Sequence, residues 1–134
     1  MRTRIIAVSI AAVAACLLAG LLTDPVAGDE NEAKAAEALK AAVAEGNRLF
    51  RDPTLGTSGK SCAICHEDPE RPKLALAARA GGYPKWDRRA DAVITLGQKI
   101  RQMIETNLKG TSPALGTASL VAIEAFLMSI ASPR

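Results

Sequence analysis

The chain contains a single histidine, His66, and few aromatic rings: two phenylalanines, one tyrosine and one tryptophan in 134 residues. One histidine excludes any site that draws two imidazoles from the same chain. So few rings leave a small domain short of bulk for its core, because small domains bury a small share of their surface. No stretch alternates apolar and polar residues for long enough to read as a strand. An excess of charge is also missing: 17 basic and 14 acidic residues give +3, too little to argue for nucleic acid. Cysteine occurs only at Cys16, Cys62 and Cys65. The length allows one domain and little more.

Residues 1–28 read as targeting rather than fold. Arg2 and Arg4 precede the apolar run Ile5 to Leu22, and Pro25-Val26-Ala27-Gly28 lead into the acidic "DENE". That order is the order of a secretory signal peptide. The run is also long enough to stay as an N-terminal anchor, and "VAAC" at 13–16 resembles a lipobox with Cys16 as the lipidated residue. Contact with a membrane is expected only if this segment is retained. Without Arg2, Arg4 and Asp24 the chain has 15 basic and 13 acidic residues, a net charge near +2, and two cysteines. The domain proper is then 29–134.

Within it, "ENEAKAAEALKAAVAEGNRLF" at 30–50 is rich in helix formers and places Leu39, Val43 and Phe50 at near-helical spacing. Gly46 interrupts it, at a cost of about 1 kcal/mol against alanine, so either the helix frays or another helix passes close. "RDPTLGTSGK" is loop, and Pro69 and Pro72 stop whatever helix the cysteine motif begins. A short helix is predicted over 73–80, followed by a turn at "AGGYPKW". Residues 91–108 predict a helix with Val93, Leu96, Ile100, Met103 and Ile104 on one stripe and Lys99, Arg101 and Glu105 on the wet side. A last helix over 119–131, capped by Thr117 or Ser119, presents Ile123, Phe126, Leu127 and Ile130. The expectation is an all-α domain of three main helices and long loops.

The motif that carries chemistry is "GKSCAICHED" at 59–68. A thioredoxin-like redox pair at Cys62 and Cys65 needs a βαβ setting. Tetrahedral zinc wants four ligands, where two cysteines and one histidine are on offer. A disulfide is chemically open in an exported chain, and leaves the lone histidine beside it without a reason. C-x-x-C-H uses all three residues: the thiols form thioether bonds to one haem c, and His66 is the proximal iron ligand. A covalent macrocycle also supplies the apolar bulk that the aromatic content does not.

For the sixth iron position the candidates are Met103, midway along the 91–108 stripe, and Met128, off the buried face of the last helix. Asn107 as a weak polar ligand, Lys99, Lys109 or no ligand are the remaining options, and the methionines have core filling as their plain alternative. Tyr83 and Trp86 suit a haem edge, since each has a polar tip that wants a partner. Arg88 and Arg89 suit either propionates or solvent. Glu67, Asp68 and Glu70 form an acidic cluster that suits a wet face or a partner patch.

On the stretch "EGNRLFRDPTLGTSGKSCAICH" the chain resembles a monohaem c-type cytochrome of the class I kind, over about residues 33–131. Gly46 and Phe50 match that family's first-helix Gly-x-x-x-Phe, which implies that Gly46 admits the terminal helix and that Phe50 packs near Phe126. "YPKWDRRADAVITLGQKIRQM" is similar to a segment of the sulfur-oxidation and thiosulfate dehydrogenase-type cytochromes. Tyr83 and Pro84 match their turn, Leu96 and Ile100 their helix face, and Met103 falls where they carry a cysteine.

The resemblance implies a class I cytochrome c-like fold wrapped around the haem, with His66 and Met103 on the iron. It implies a periplasmic electron carrier, soluble or anchored facing that compartment, with a redox donor and acceptor in a respiratory or sulfur-oxidising complex. The alternative is a catalytic or ligand-binding haem protein, or a haem subunit of sulfur-compound oxidation, with an open or labile sixth position.

Overall fold

The computed structural model describes residues 28–71, 76 and 79–131. Residues 1–27, where a targeting segment is expected, with Cys16, Pro72 and most of the helix expected over 73–80, lie outside them. Chain contacts divide the structure into Met1–Ala35 and Ala36–Arg134. Of the first unit the described part is 28–35, the opening turns of helix α1, Gly28–Phe50, and residues 30–35 there are exposed.

In the second unit α1 continues to Phe50 and buries only its C-terminal end. Leu39 is exposed, whereas Leu49 and Phe50 are in the core, so the apolar stripe expected along the whole helix is confined to its last two turns. There Gly46 lies against α4, Ala118–Ser129. A Cβ at Gly46 would stand 1.9 Å from the Ala122 carbonyl oxygen. The glycine in the first helix is a crossing point, and the Phe50 and Phe126 rings, 5.3 Å apart between centroids, fill the space beside it.

Asp52 caps a 3₁₀ turn, Pro53–Leu55, by accepting from Thr54 N–H. Residues 56–58 then run along the end of the segment Ile104–Leu108. Ser58 N–H donates to Leu108 O at 3.0 Å and Thr57 Oγ1 to Lys109 O at 2.9 Å. The approach is closest at Gly56, where a Cβ would fall 2.0 Å from Leu108 O. This backbone seam leads directly into α2, Ala63–His66.

The all-α expectation needs one correction. Lys85–Asp87 (β1) and Ala92–Ile94 (β2) form an antiparallel hairpin, pairing Lys85 with Ile94, Trp86 with Val93 and Asp87 with Ala92. Asp87 makes it possible: its Oδ1 accepts Arg89 N–H at 2.9 Å and Ala90 N–H at 3.1 Å, closing the turn. Val93 and Ile94 are β-branched and suit the pleat. The helix expected over 91–108 therefore starts later, as α3, Leu96–Met103. Thr95 caps it in a reciprocal box with Gln98: Thr95 Oγ1 accepts Gln98 N–H while Gln98 Oε1 accepts Thr95 N–H. Val93 is consequently exposed and Ile94 buried.

After Met103 the helix widens into a π turn, Ile104–Leu108, ended by Lys109 in the left-handed region at φ 58°. The last helix begins as expected after Thr117. That side chain does not cap it, since its hydroxyl donates backwards to Ala114 O. Ile123, Phe126 and Leu127 are buried as expected, and Ile130, just past the helix, is exposed. Ile100, Ile104 and Leu108 meet Leu120, Ile123 and Leu127 in the core.

Candidate functional site

The site is a cavity of about 370 Å³ between α2, the hairpin, α3 and α4. Its walls are largely apolar: Phe50, Leu76, Ala80, Leu96, Ile100, Ile123 and Leu127. Cys62 and His66 enter from α2, Tyr83 from the turn before the hairpin, and Met103 and Asn107 from α3 and its π turn. Arg79, Arg88, Arg89, Lys99 and Asp87 complete the lining.

Cys62 and His66 are brought together by one helical turn, in which His66 N–H donates to Cys62 O at 3.2 Å. The imidazole lies 6.2 Å from the Phe50 ring, centroid to centroid, at 39°. Arg51 steadies this end: its guanidinium lies 5.9 Å from the Phe50 ring and 5.8 Å from Phe126, and it pairs with Glu67 beside the histidine. Asp68 pairs with Arg71 at 3.1 Å, so two members of the expected acidic cluster are committed to ion pairs.

No disulfide joins Cys62 and Cys65. Burial pushes the Cys62 thiol up to about 11, which keeps it protonated at neutral pH and opposes the low thiol pKa that a redox pair needs. Cys65 is half-buried and is not among the lining residues.

Of the other residues singled out by sequence, Met103 and Tyr83 line the cavity, and Trp86 does not. Trp86 is exposed, as is its cross-strand partner Val93. Burial, and then the charge of Asp87, raise the Tyr83 hydroxyl pKa, and Lys85 Nζ lies 4.3 Å from the centre of its ring. Met128 is 54% exposed and faces an outer groove with Tyr83, Pro84 and Val121. Asn107 also lines the cavity, and its Nδ2 donates to Met103 Sδ at 3.2 Å.

Lys99 was expected in solvent. Its side chain is instead only 26% exposed, and Nζ donates to Asp87 Oδ2 at 2.7 Å. The bond to Lys99, aided by the backbone N–H groups of Ala90 and Arg89, lowers the Asp87 carboxyl to about 2. No spacing rule links residues twelve apart in two different elements, so this pair had no signature in the sequence. The Met103–Asn107 contact did have one, the i,i+4 interval on a helix.

An apolar slot holding a thiol, an imidazole and a thioether, with arginines at its border, has the donor set and the hydrophobic walls that a haem with two carboxylates requires. Helices, site and motif together define a small c-type cytochrome domain, which binds haem and serves electron transfer. Residues 45–132 match the SoxA/TsdA cytochrome c domain family, and the chain belongs to that family. A comparison with curated proteins found no match.

Proposed function

We propose that the protein is a periplasmic electron carrier holding one haem c through Cys62 and Cys65, with His66 and Met103 as axial ligands. The observation that carries this reading is that a single cavity takes in Cys62 and His66 from α2 and Met103 from α3. The bound group supplies a one-electron ferric–ferrous couple. The chain's own residues do the rest. Ile100, Ile123 and Leu127 keep water from that slot, and a thioether donor in apolar surroundings favours the reduced form. Arg79, Arg88 and Arg89 offer cations to the two carboxylates, and the Asp87–Lys99 pair holds the hairpin against α3.

If His66 and Met103 both hold the iron, they would leave no place on it for a substrate, so this reading makes the protein a carrier rather than an enzyme. Among the described residues no helix is long and apolar enough to cross a membrane. Contact with a membrane therefore depends on whether 1–28 is kept. Donor and acceptor are redox proteins that meet it through a small, weak contact.

The family match favours a second reading, a haem subunit of sulfur-compound oxidation whose sixth position opens. Visible spectra of the oxidised and reduced holoprotein, beside those of Met103→Ala, separate the two. A low-spin spectrum with a methionine-to-iron band that the substitution removes supports the carrier. A high-spin wild type supports the second reading.

A further inference from the structure

Met103 is the last residue of α3, and the chain changes its helical repeat immediately after it. Lys109 N–H reaches back five residues to Ile104 O, so 104–108 is a single π turn, a form found mostly as an isolated turn and often at functional sites. Within that turn Asn107 comes to lie over Met103, with Nδ2 3.2 Å from Sδ. Both side chains line the cavity that also takes in His66. The contact has one chemically sensible orientation. A thioether sulfur accepts and cannot donate, so only the amide nitrogen can face it. The neighbouring Thr106 hydroxyl, 3.4 Å from Asn107 Oδ1, has its own proton on Gln102 O at 2.6 Å.

A thioether has two lone pairs. An N–H directed at one of them fixes the rotation of the Cγ–Sδ–Cε end and leaves the other to point elsewhere. It also draws electron density from the sulfur and weakens it as a donor, which costs an oxidised metal more than a reduced one. Met is otherwise the most adaptable of apolar side chains, with three rotatable bonds, so a fixed donor is what would give it a single pose.

We infer that Asn107 is a positioning residue for the Met103 sulfur: its amide holds the thioether in one orientation and biases the site toward the reduced state. The inference rests on the reading of Met103 as axial ligand. It differs from a ligand role for Asn107 itself, in which the amide oxygen rather than the nitrogen would be the working atom.

The test uses the full-length holoprotein and four chains: wild type, Met103→Ala, Asn107→Leu and Asn107→Gln. Two quantities are read, the methionine-to-iron band and the midpoint potential. Asn107→Leu is expected to shift the oxidised-to-reduced ratio at fixed potential toward oxidised, by at most about tenfold if the whole worth of a neutral hydrogen bond separates the two states, which is about 59 mV for one electron. The band should weaken or move in that variant, and Asn107→Gln, which keeps an N–H donor, should recover part of both signals.

Circular dichroism matching wild type separates loss of this bond from loss of fold. If the band depends on Met103 while Asn107→Leu changes neither band nor potential, the positioning role is wrong and the ligation stands. If the wild type has no such band, or Met103→Ala leaves it intact, the ligation falls and this inference with it.

Discussion

Lys99 Nζ and Asp87 Oδ2 meet at 2.7 Å between α3 and the hairpin, with the carboxylate's other oxygen closing the hairpin turn. One carboxylate thus links a turn, a strand end and the helix that ends at Met103. Its pKa lies near 2, against an ordinary 3.8. A carboxyl depressed on folding gives stability that is fully present above its unfolded pKa and is lost as pH falls through the folded one. Wild type should therefore lose stability relative to Asp87→Asn as pH falls from about 4 to about 2. Denaturant midpoints of the two proteins across that range check it; a constant difference would disprove the linkage.

Gly46→Ala asks the Ala122 carbonyl to yield, since the new methyl would stand 1.9 Å from that oxygen. The backbone there cannot swing away as a side chain can. A loss of about 3 kcal/mol is expected, at the upper end for overpacking. Ala44→Gly, on the exposed side of the same helix, should cost about 1 kcal/mol. Urea unfolding of both reads the contrast.

Phe126 packs on Phe50 but is not among the residues lining the cavity, while Phe50 is. Phe126→Ala should cost about 3–5 kcal/mol and leave the haem spectrum of the folded protein unchanged. Phe50→Leu, which removes the ring beside His66, should perturb the spectrum as well as the stability. Thermal melts followed at a haem band and by circular dichroism distinguish the two.

Met128 is exposed on α4, on the outer groove. Met128→Ala should change stability by no more than about 0.5 kcal/mol, as for most surface changes, and leave the methionine-to-iron band in place. Disappearance of the band in this variant would move the ligand assignment from α3 to α4.

Much of the arrangement was legible because it depends on local rules. Gly46 in a run of helix formers narrows the choice to fraying or a close crossing, the last helix begins after Thr117 although that hydroxyl does not cap it, and Cys62-x-x-Cys65-His66 is a contiguous motif. The hairpin was not legible. Its strands have three residues each, too short for alternation to register, and Val93 and Ile94 fit a helical stripe as well as they fit a pleat. What decides between them is the Asp87 turn and the Thr95–Gln98 box, one a local turn in which a carboxylate accepts from backbone two and three residues on, the other a T-x-x-Q signal four residues inside the expected helix. Lys99 was misplaced for the same reason, because its wet side is wet only if no hairpin covers it. Trp86 followed from residue type alone, and the strand pairing turned it outward beside Val93.

The crossing at Gly46 also bears on when this domain can form. Its first helix is seated against Ala122 and Phe126, contacts that span most of the domain's sequence, and the seam at Gly56 pairs residues about fifty apart. Contacts of such long separation are slow to form, because loop closure must come before the energy it releases. A chain that emerges N-terminus first therefore keeps α1 without its partner until α4 has followed. Until then α1 lacks the contacts with Ala122 and Phe126 that seat it in the core.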